Sequence, residues 1–239
     1  MIARAGSRRS ALCVGGFVPF TATDYPGALA AVVFCQGCPW RCGYCHNPHL
    51  LPADGDGERR FDEIVDWLAS RRGLLDAVVF SGGEPTAQPA LVDAIAAVRE
   101  RGFKVGLHTA GAYPRRLAQW LSRIDWVGID IKAPRQDYEA VTGAMRSGEA
   151  AWTSLECIVD AGVACEVRTT VHPALTPAAA MEKLACELAA LGIVHWVLQP
   201  FRAQGCASAD LLAAARETPF DGKLLARLTR HIPDIRVRA

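Results

Sequence analysis

Four of the nine cysteines of this chain lie within eleven residues, Cys35-Gln-Gly-Cys-Pro-Trp-Arg-Cys-Gly-Tyr-Cys45. Cys38, Cys42 and Cys45 have the spacing C-x3-C-x2-C. Three thiolates so close can hold one inorganic centre, and three is one short of the set that completes an ordinary cubane iron–sulfur cluster. An iron without a protein ligand is a place where a substrate or cofactor binds, which turns an electron carrier into a catalyst. A zinc knot made from Cys35-x2-Cys38 and Cys42-x2-Cys45 competes for the same residues. Structural zinc usually draws such pairs from separate turns. Here only Pro39-Trp40-Arg41 separates them, so an iron–sulfur cluster is the expected centre. Cys35 is expected as a small buried apolar residue ending a strand. Cys13, Cys157, Cys165, Cys186 and Cys206 are isolated and read as structural, with no second cluster expected.

Strands and helices alternate around this loop. Ala30-Ala-Val-Val-Phe34 reads as a buried strand that delivers the cysteines. Residues 15–29 contain Pro19-Phe20 and Asp24-Tyr-Pro-Gly27, turn chemistry that predicts a hairpin. Residues 61–70 place apolar side chains at 61, 64, 65 and 68, one face of a helix. Further helices are predicted over 90–100, 114–121, 154–161 and 177–191, and strands over 77–80, 103–107, 126–131, 164–171 and 193–198. The segment 211–239 is expected to add one or two helices and a short strand, Ile235-Arg-Val-Arg238. Crossovers of this kind require a parallel sheet. A full eight-unit barrel takes roughly 250 residues, so 239 residues with tails fit six units better.

The expected fold is therefore α/β, a partial (β/α)6 barrel with an N-terminal hairpin and a short C-terminal extension. Residues 1–14 read as a flexible tail and 15–239 as one domain, with its core over 30–202. In parallel barrels chemistry collects at the carboxyl ends of the strands. Those ends carry the cysteines, Ser81-Gly-Gly-Glu-Pro85, His108-Thr-Ala-Gly111, Asp130-Ile-Lys132, Arg168-Thr-Thr170 with His172, and Gln199-Pro-Phe-Arg202. Asp130 and Lys132 are two apart on a strand and project to one side. Arg168 interrupts an apolar strand, and a buried guanidinium needs an acceptor, for which Glu166 and Asp130 are candidates.

Composition narrows the setting. A hydrophobic content of 51% with 21% charged residues describes a globule with a sizeable core. A net charge of +1 gives no argument for a nucleic-acid partner. No apolar run approaches the roughly 20 residues that span a bilayer, and the basic first ten residues lack the apolar segment of a signal peptide. An odd number of unevenly spaced cysteines argues against a disulfide framework. A cytoplasmic protein with reduced thiols is expected.

The cysteine motif with Tyr44 before its third cysteine resembles the signature of the radical S-adenosylmethionine (SAM) superfamily. Its continuation, Tyr44-Cys-His-Asn-Pro48, resembles the glycyl-radical-enzyme activases. Gly16-Phe-Val-Pro-Phe20, Asp24-Tyr-Pro-Gly27, Phe34-Cys-Gln-Gly-Cys38, Phe80-Ser-Gly-Gly-Glu-Pro85, Asp130-Ile-Lys132 and Arg168-Thr-Thr-Val171 most resemble the anaerobic ribonucleoside-triphosphate reductase activating proteins. The resemblance covers residues 15–202. It implies a [4Fe–4S] cluster on Cys38, Cys42 and Cys45, with SAM chelating the fourth iron. Reductive cleavage of SAM would then yield a 5′-deoxyadenosyl radical that abstracts hydrogen from a glycine of a partner enzyme.

The resemblance also implies that Gly82, Gly83 and Glu84 meet the methionine amino group and that Tyr44 and His46 lie near adenine. It sets Asp130, Lys132 and Arg168 around the cofactor, with Lys132 neutralising its carboxylate, and Gln199 and Arg202 as further contacts of this kind. Flavodoxin or ferredoxin is the implied electron donor. One departure stands out. The activases carry Asp-Thr-Asn-Gly at the third strand end, where this chain has His108-Thr-Ala-Gly111, and histidine cannot hold a cation as aspartate does. Two other readings stay open: a radical SAM enzyme acting on a small molecule or peptide, and a non-catalytic zinc or iron–sulfur module.

Overall fold

Short β-branched and small apolar runs make the sheet, and each strand sorts its side chains to two faces by alternation. In the strand Ala30–Cys35 (β2), Ala31, Val33 and Cys35 join a large core beneath the helices, whereas Ala30 and Val32 face the other way into a second cluster with Tyr25, Ala77, Val79 and Trp126. The computed structural model describes residues 11–54, 59–206, 208–215 and 221–238.

The strands before and after β2 are Cys13–Thr21 (β1), Arg59–Arg60 (β3), Ala77–Gly82 (β4), Lys104–Thr109 (β5), Trp126–Asp130 (β6), Cys165–Val171 (β7), His195–Pro200 (β8) and Asp234–Val237 (β9). They form one sheet in the order β3-β1-β2-β4-β5-β6-β7-β8-β9. Every pair from β2 to β9 is parallel, and only β1 runs antiparallel to its neighbours. Residues 15–29 do not form a hairpin of their own as expected: they supply one strand, β1, which pairs antiparallel with β2 across the Asp24–Gly27 turn. The sheet curves as an incomplete barrel open between its edges, as the six-unit reading expected, with β9 added as a further parallel strand.

Helices Phe61–Ala69 (α1), Leu91–Glu100 (α2), Pro114–Trp120 (α3), Tyr138–Thr142 (α4), Ser147–Asp160 (α5), Ala178–Ala190 (α6), Ala209–Ala214 (α7) and Gly222–Leu228 (α8) cover the outer face. No helix among the described residues is long and apolar enough to cross a membrane. Two helices depart from the pattern reading. The helix α5 begins seven residues before 154, through Gly148, because a Cβ there would collide with the Arg135 carbonyl and only glycine lets the helix pack so closely. The five-residue α4 has no legible period and forms because Tyr138 is fully buried beneath the sheet rim.

Part of the 1–14 segment expected as a tail is packed into the domain. Residues 1–10 lie outside the described residues, but Leu12 and Val14 are buried, and the Gln88 side chain bonds both the amide and the carbonyl of Cys13. The Asp24–Gly27 turn leaves Pro26 and Gly27 exposed and buries Tyr25 against the strands. Tyr25 packs on Trp126 with ring centroids 5.4 Å apart and reaches the space left by Gly106, whose Cβ would crowd the tyrosine ring. This closes the amino end of the barrel and leaves its carboxyl end to the site.

Candidate active site

One cavity at the carboxyl rim gathers most of the residues singled out by sequence. Cys38, Cys42 and Cys45 line it together with Tyr44 and His46, with Ser81, Gly82 and Gly83 from the end of β4, with His108 and Thr109 from β5, and with Asp130 and Lys132 after β6. Cys35 is absent from its wall. It is fully buried in the core at the end of β2, and burial pushes its thiol well up. The four-cysteine zinc knot therefore lacks one of its ligands. Among the described residues no three His, Cys, Asp or Glu side chains are grouped to hold a single metal ion.

The cysteine loop is held by backbone bonds on two sides. Gly37 and Cys38 donate to the carbonyls of Leu50 and Leu51 at 2.8 and 3.1 Å, and Gly83 and Glu84 donate to the carbonyls of Cys35 and Gly37, both at 2.9 Å. The Gly-Gly turn is required by this approach. Gly82 has φ +118°, and a Cβ on it would collide with the Cys35 backbone; one on Gly83 would collide with the Gly37 carbonyl. Gly82→Ala is expected to displace the loop and to lower iron incorporation, measured per protein after anaerobic reconstitution, by at least about tenfold. Destabilisation of a few kcal/mol, on the order of 3 for backbone strain plus overlap, accompanies it. Iron content equal to wild type would contradict this account.

Charge in the cavity centres on Lys132. Its side chain is buried, with the ammonium 3.4 Å from Asp130 Oδ2 and 5.5 Å from the Tyr44 ring centroid. Burial opposes its charge, but Tyr44, Asp130 and Cys42 outweigh that and hold its pKa well above the ordinary lysine value. The Tyr138 hydroxyl fixes the strand end by donating to the Asp130 carbonyl and accepting from the Lys132 amide. The Tyr44 hydroxyl is buried, and the Lys132 ammonium is the polar group facing it, too far for a well-formed hydrogen bond. Such a group costs about 1–3 kcal/mol unless something supplies a bond. Burial raises the Cys38 thiol to about 11 and also raises Cys42, which Lys132 partly offsets.

His108 lies inside the barrel with Nε2 2.9 Å from the Asp24 carbonyl. Burial and the nearby Arg168 charge push its pKa down to about 4, so it is neutral at physiological pH. A neutral ring already bonded to the chain's own backbone brings no anionic charge to this rim position.

Four predicted residues sit elsewhere. Glu84 is fully buried behind the rim, where Oε1 accepts from the Thr86 amide and hydroxyl and the Thr109 hydroxyl, and Oε2 from the Ala110 amide at 2.8 Å. It ties the end of β4 to the end of β5. Arg168 points down the barrel: Nε donates to Glu166 Oε1 at 2.7 Å, and its guanidinium lies 5.2 Å over the Trp126 ring. The Glu166 alternative for its acceptor is the one observed. Gln199 and Arg202 are not on the cavity wall, although the Phe201 ring between them lies 6.2 Å from His46. Sequence reasoning did not single out Trp40 as a wall residue, and it carried Thr109 and Thr170 only as members of rim motifs. Their signal was weak, since threonine and tryptophan near strand ends are ordinary core residues.

The profile of the radical SAM superfamily matches residues 32–184. A protein of Methanocaldococcus jannaschii, provisionally described as a glycyl-radical enzyme activating enzyme, is 32% identical over 193 residues, which cover 74% of this chain and 78% of that one. A pyruvate formate-lyase-activating enzyme of Clostridium pasteurianum is 34% identical over 159 residues, 64% of this chain and 66% of the relative. Among solved structures, QueE from Escherichia coli aligns with TM-score 0.57 and 18% identity over 96% of this chain and 94% of its own. Streptococcus suis SuiB bound to S-adenosylmethionine aligns with TM-score 0.62 and 12% identity over 85% of this chain and 48% of its own, a likeness of fold alone.

Proposed function

Because the chain belongs to the radical SAM superfamily, we propose that it activates a glycyl-radical enzyme, with an anaerobic ribonucleoside-triphosphate reductase as the partner. Its cofactors are those of the superfamily, a [4Fe–4S] cluster and S-adenosylmethionine. Bound and reduced, they supply a 5′-deoxyadenosyl radical that takes a hydrogen atom, here proposed to come from a glycine Cα of the partner.

The donor set fits these groups. Three soft thiols from one loop line the cavity and leave the fourth iron to a ligand that is not protein. The observation that carries the reading is their meeting, in one cavity, with the buried Lys132 ammonium, the Asp130 carboxylate and the Tyr44 side chain. In this reading Lys132 faces the carboxylate of the methionine moiety. Asp130 and the backbone of Gly82 and Gly83 are set toward its amino group, and Tyr44 and His46 lie toward adenine. Glu84 and Arg168 act indirectly, by positioning the rim and the barrel wall, and Gln199 and Arg202 flank Phe201. The open side of the barrel supports a substrate presented on a polypeptide loop.

The named activases among the relatives support the glycyl-radical class. The choice of a ribonucleotide reductase rests on the sequence resemblance of the whole set of motifs, Gly16–Phe20, Asp24–Gly27, Phe34–Cys38, Phe80–Pro85, Asp130–Lys132 and Arg168–Val171. A cytoplasmic setting and reduction by flavodoxin or ferredoxin complete the proposal. Reconstituted enzyme, dithionite and SAM, mixed anaerobically with a candidate reductase, are expected to give a glycyl radical signal by electron paramagnetic resonance. SAM cleavage without that signal, on either a reductase or a pyruvate formate-lyase, would refute the activase reading and favour a small-molecule or peptide substrate.

A further inference from the structure

Trp40, between Cys38 and Cys42, is a wall shared by two cavities. It lines both the thiol cavity and an open groove of about 610 Å³ between α3 and α5. The indole is buried and held edge-on against Tyr138, with ring centroids 5.9 Å apart. The loop around it is tied by hydrogen bonds. The Arg41 amide donates to the Thr142 carbonyl at 2.9 Å, and Arg41 Nη1 donates to the carbonyls of Cys38 and Trp40 at 2.6 and 3.0 Å.

The rim of the groove has three features of a recognition surface. Met145 is 86% exposed, an apolar knob that solvent does not favour. It is presented by a strained turn: Arg146 has φ 57°, the only non-glycine among the described residues with positive φ. That conformation is latched from both sides, since Glu139 accepts from the Arg146 amide and Glu149 pairs with its guanidinium. Arg115 on the groove wall and Arg41 beside Trp40 are exposed cations with no acidic partner among the described residues.

We propose that this groove is the docking surface of the reductant, an acidic one-electron carrier protein, and that Trp40 is the wall through which its electron enters the cluster. The inference rests on the radical SAM reading of the cavity. The groove lies on the helical side of the barrel between α3 and α5, and Trp40 is the wall it shares with the thiol cavity, so a carrier seated there stands one side chain from the cluster's thiols. The step is balanced: the carrier's reduced flavin or iron–sulfur centre loses one electron, the [4Fe–4S] cluster gains it, and no bond or proton is exchanged. Unpaired arginines recruit an acidic partner by steering, an effect on association rate that salt weakens.

The test uses reconstituted full-length enzyme and two probes, flavodoxin hydroquinone and dithionite, with cluster reduction followed by bleaching of its visible absorbance. The double variant Arg115→Glu/Met145→Glu alters only exposed side chains. Its reduction by flavodoxin is expected to slow by about tenfold or more at low ionic strength and to lose the salt dependence seen in wild type. Reduction by dithionite, the cluster potential and dithionite-driven SAM cleavage stay at wild-type values, and Arg115→Lys keeps the wild-type flavodoxin rate. An unchanged flavodoxin rate overturns the proposal. So does equal slowing with dithionite, or a wild-type cluster that neither flavodoxin nor a ferredoxin reduces. Loss of dithionite-driven glycyl radical formation in the double variant would assign the groove to the partner enzyme instead. SAM cleavage that yields no glycyl radical on any partner removes the activase reading while leaving the docking result intact.

Discussion

Replacing Cys42 by alanine is expected to abolish the visible absorbance of the reconstituted protein and to reduce SAM cleavage to background, whereas Cys35→Ala retains both. The two cysteines lie seven positions apart in one short segment, and their surroundings are opposite. Cys42 lines the cavity beside Lys132 together with Cys38 and Cys45. Losing one of three thiolates leaves two irons of a cubane without protein ligands, and such a cluster does not persist. Cys38→Ala and Cys45→Ala are expected to behave the same way. Cys35 packs wholly in the core with Val33 and Phe80, so its removal costs only a small cavity, about 1 kcal/mol. Iron and sulfide content together with the spectrum after anaerobic reconstitution read the difference. A colourless Cys35→Ala variant that is still folded by circular dichroism would return Cys35 to the ligand set.

The second large effect lies inside the barrel and concerns stability. Glu166 accepts from Arg168 Nε at 2.7 Å and from Arg238 through two bonds of 2.9 Å, and His195 Nε2 is 3.6 Å away. These contacts tie the edge strand β9 to β7 across β8. Burial alone would raise the Glu166 pKa, but Arg238 and Arg168 outweigh it and hold it down to about 2. The contribution is fully present above the unfolded carboxyl value of about 4.3 and is lost as pH falls from there through the folded value. Denaturant titrations are therefore expected to show stability falling by about 3 kcal/mol between neutrality and pH 2 from this group, with Glu166→Gln flattening that slope. Glu166→Ala leaves the buried Arg168 charge uncompensated and is expected to cost about 3–5 kcal/mol. Adding Arg168→Met should recover much of that loss. A Glu166→Ala variant within about 1 kcal/mol of wild type would show that the network is not what holds β9.

Trp126 and Arg168 show why part of the site was legible and part was not. The alternation of strands and helices was plain because β-branched runs and apolar helical stripes are local properties. The rim could then be read by asking what ends each strand. Which way a long side chain leaves its strand is not local. Arg168 lies on the inner face as expected, yet its guanidinium turns away from the rim because Gly128 opens space below it and Glu166 waits two residues earlier on the same strand. Glu84 follows the same logic. Its place in Ser81-Gly-Gly-Glu84 was visible, but its four donors come from Thr86 and from Thr109 and Ala110, the latter two on a different strand end.

The N-terminal turn offers the complementary case. Asp24-Tyr-Pro-Gly27 reads as a turn and is one, but nothing local announces that Tyr25 fills the barrel against Trp126 or that the Asp24 carbonyl bonds His108. The packing of Tyr25 on Trp126 depends on glycines at 106 and 128, far along the chain, since a Cβ at 106 would crowd the tyrosine and one at 128 the tryptophan.

By itself, then, the sequence determined the metal chemistry of this protein, because C-x3-C-x2-C is a local spacing and three thiolates need only a short loop to share a centre. It also determined the parallel barrel, because periodicity and crossover length are local. Only the tertiary structure decided that Cys35 stays out of the site and that Lys132 is held charged beside Tyr44. It likewise turned Arg168 toward Glu166 and placed Trp40 between the thiols and a groove on the outside. These outcomes depend on burial, charge pairing and steric room between segments distant in sequence, and such terms have values only once the chain has folded.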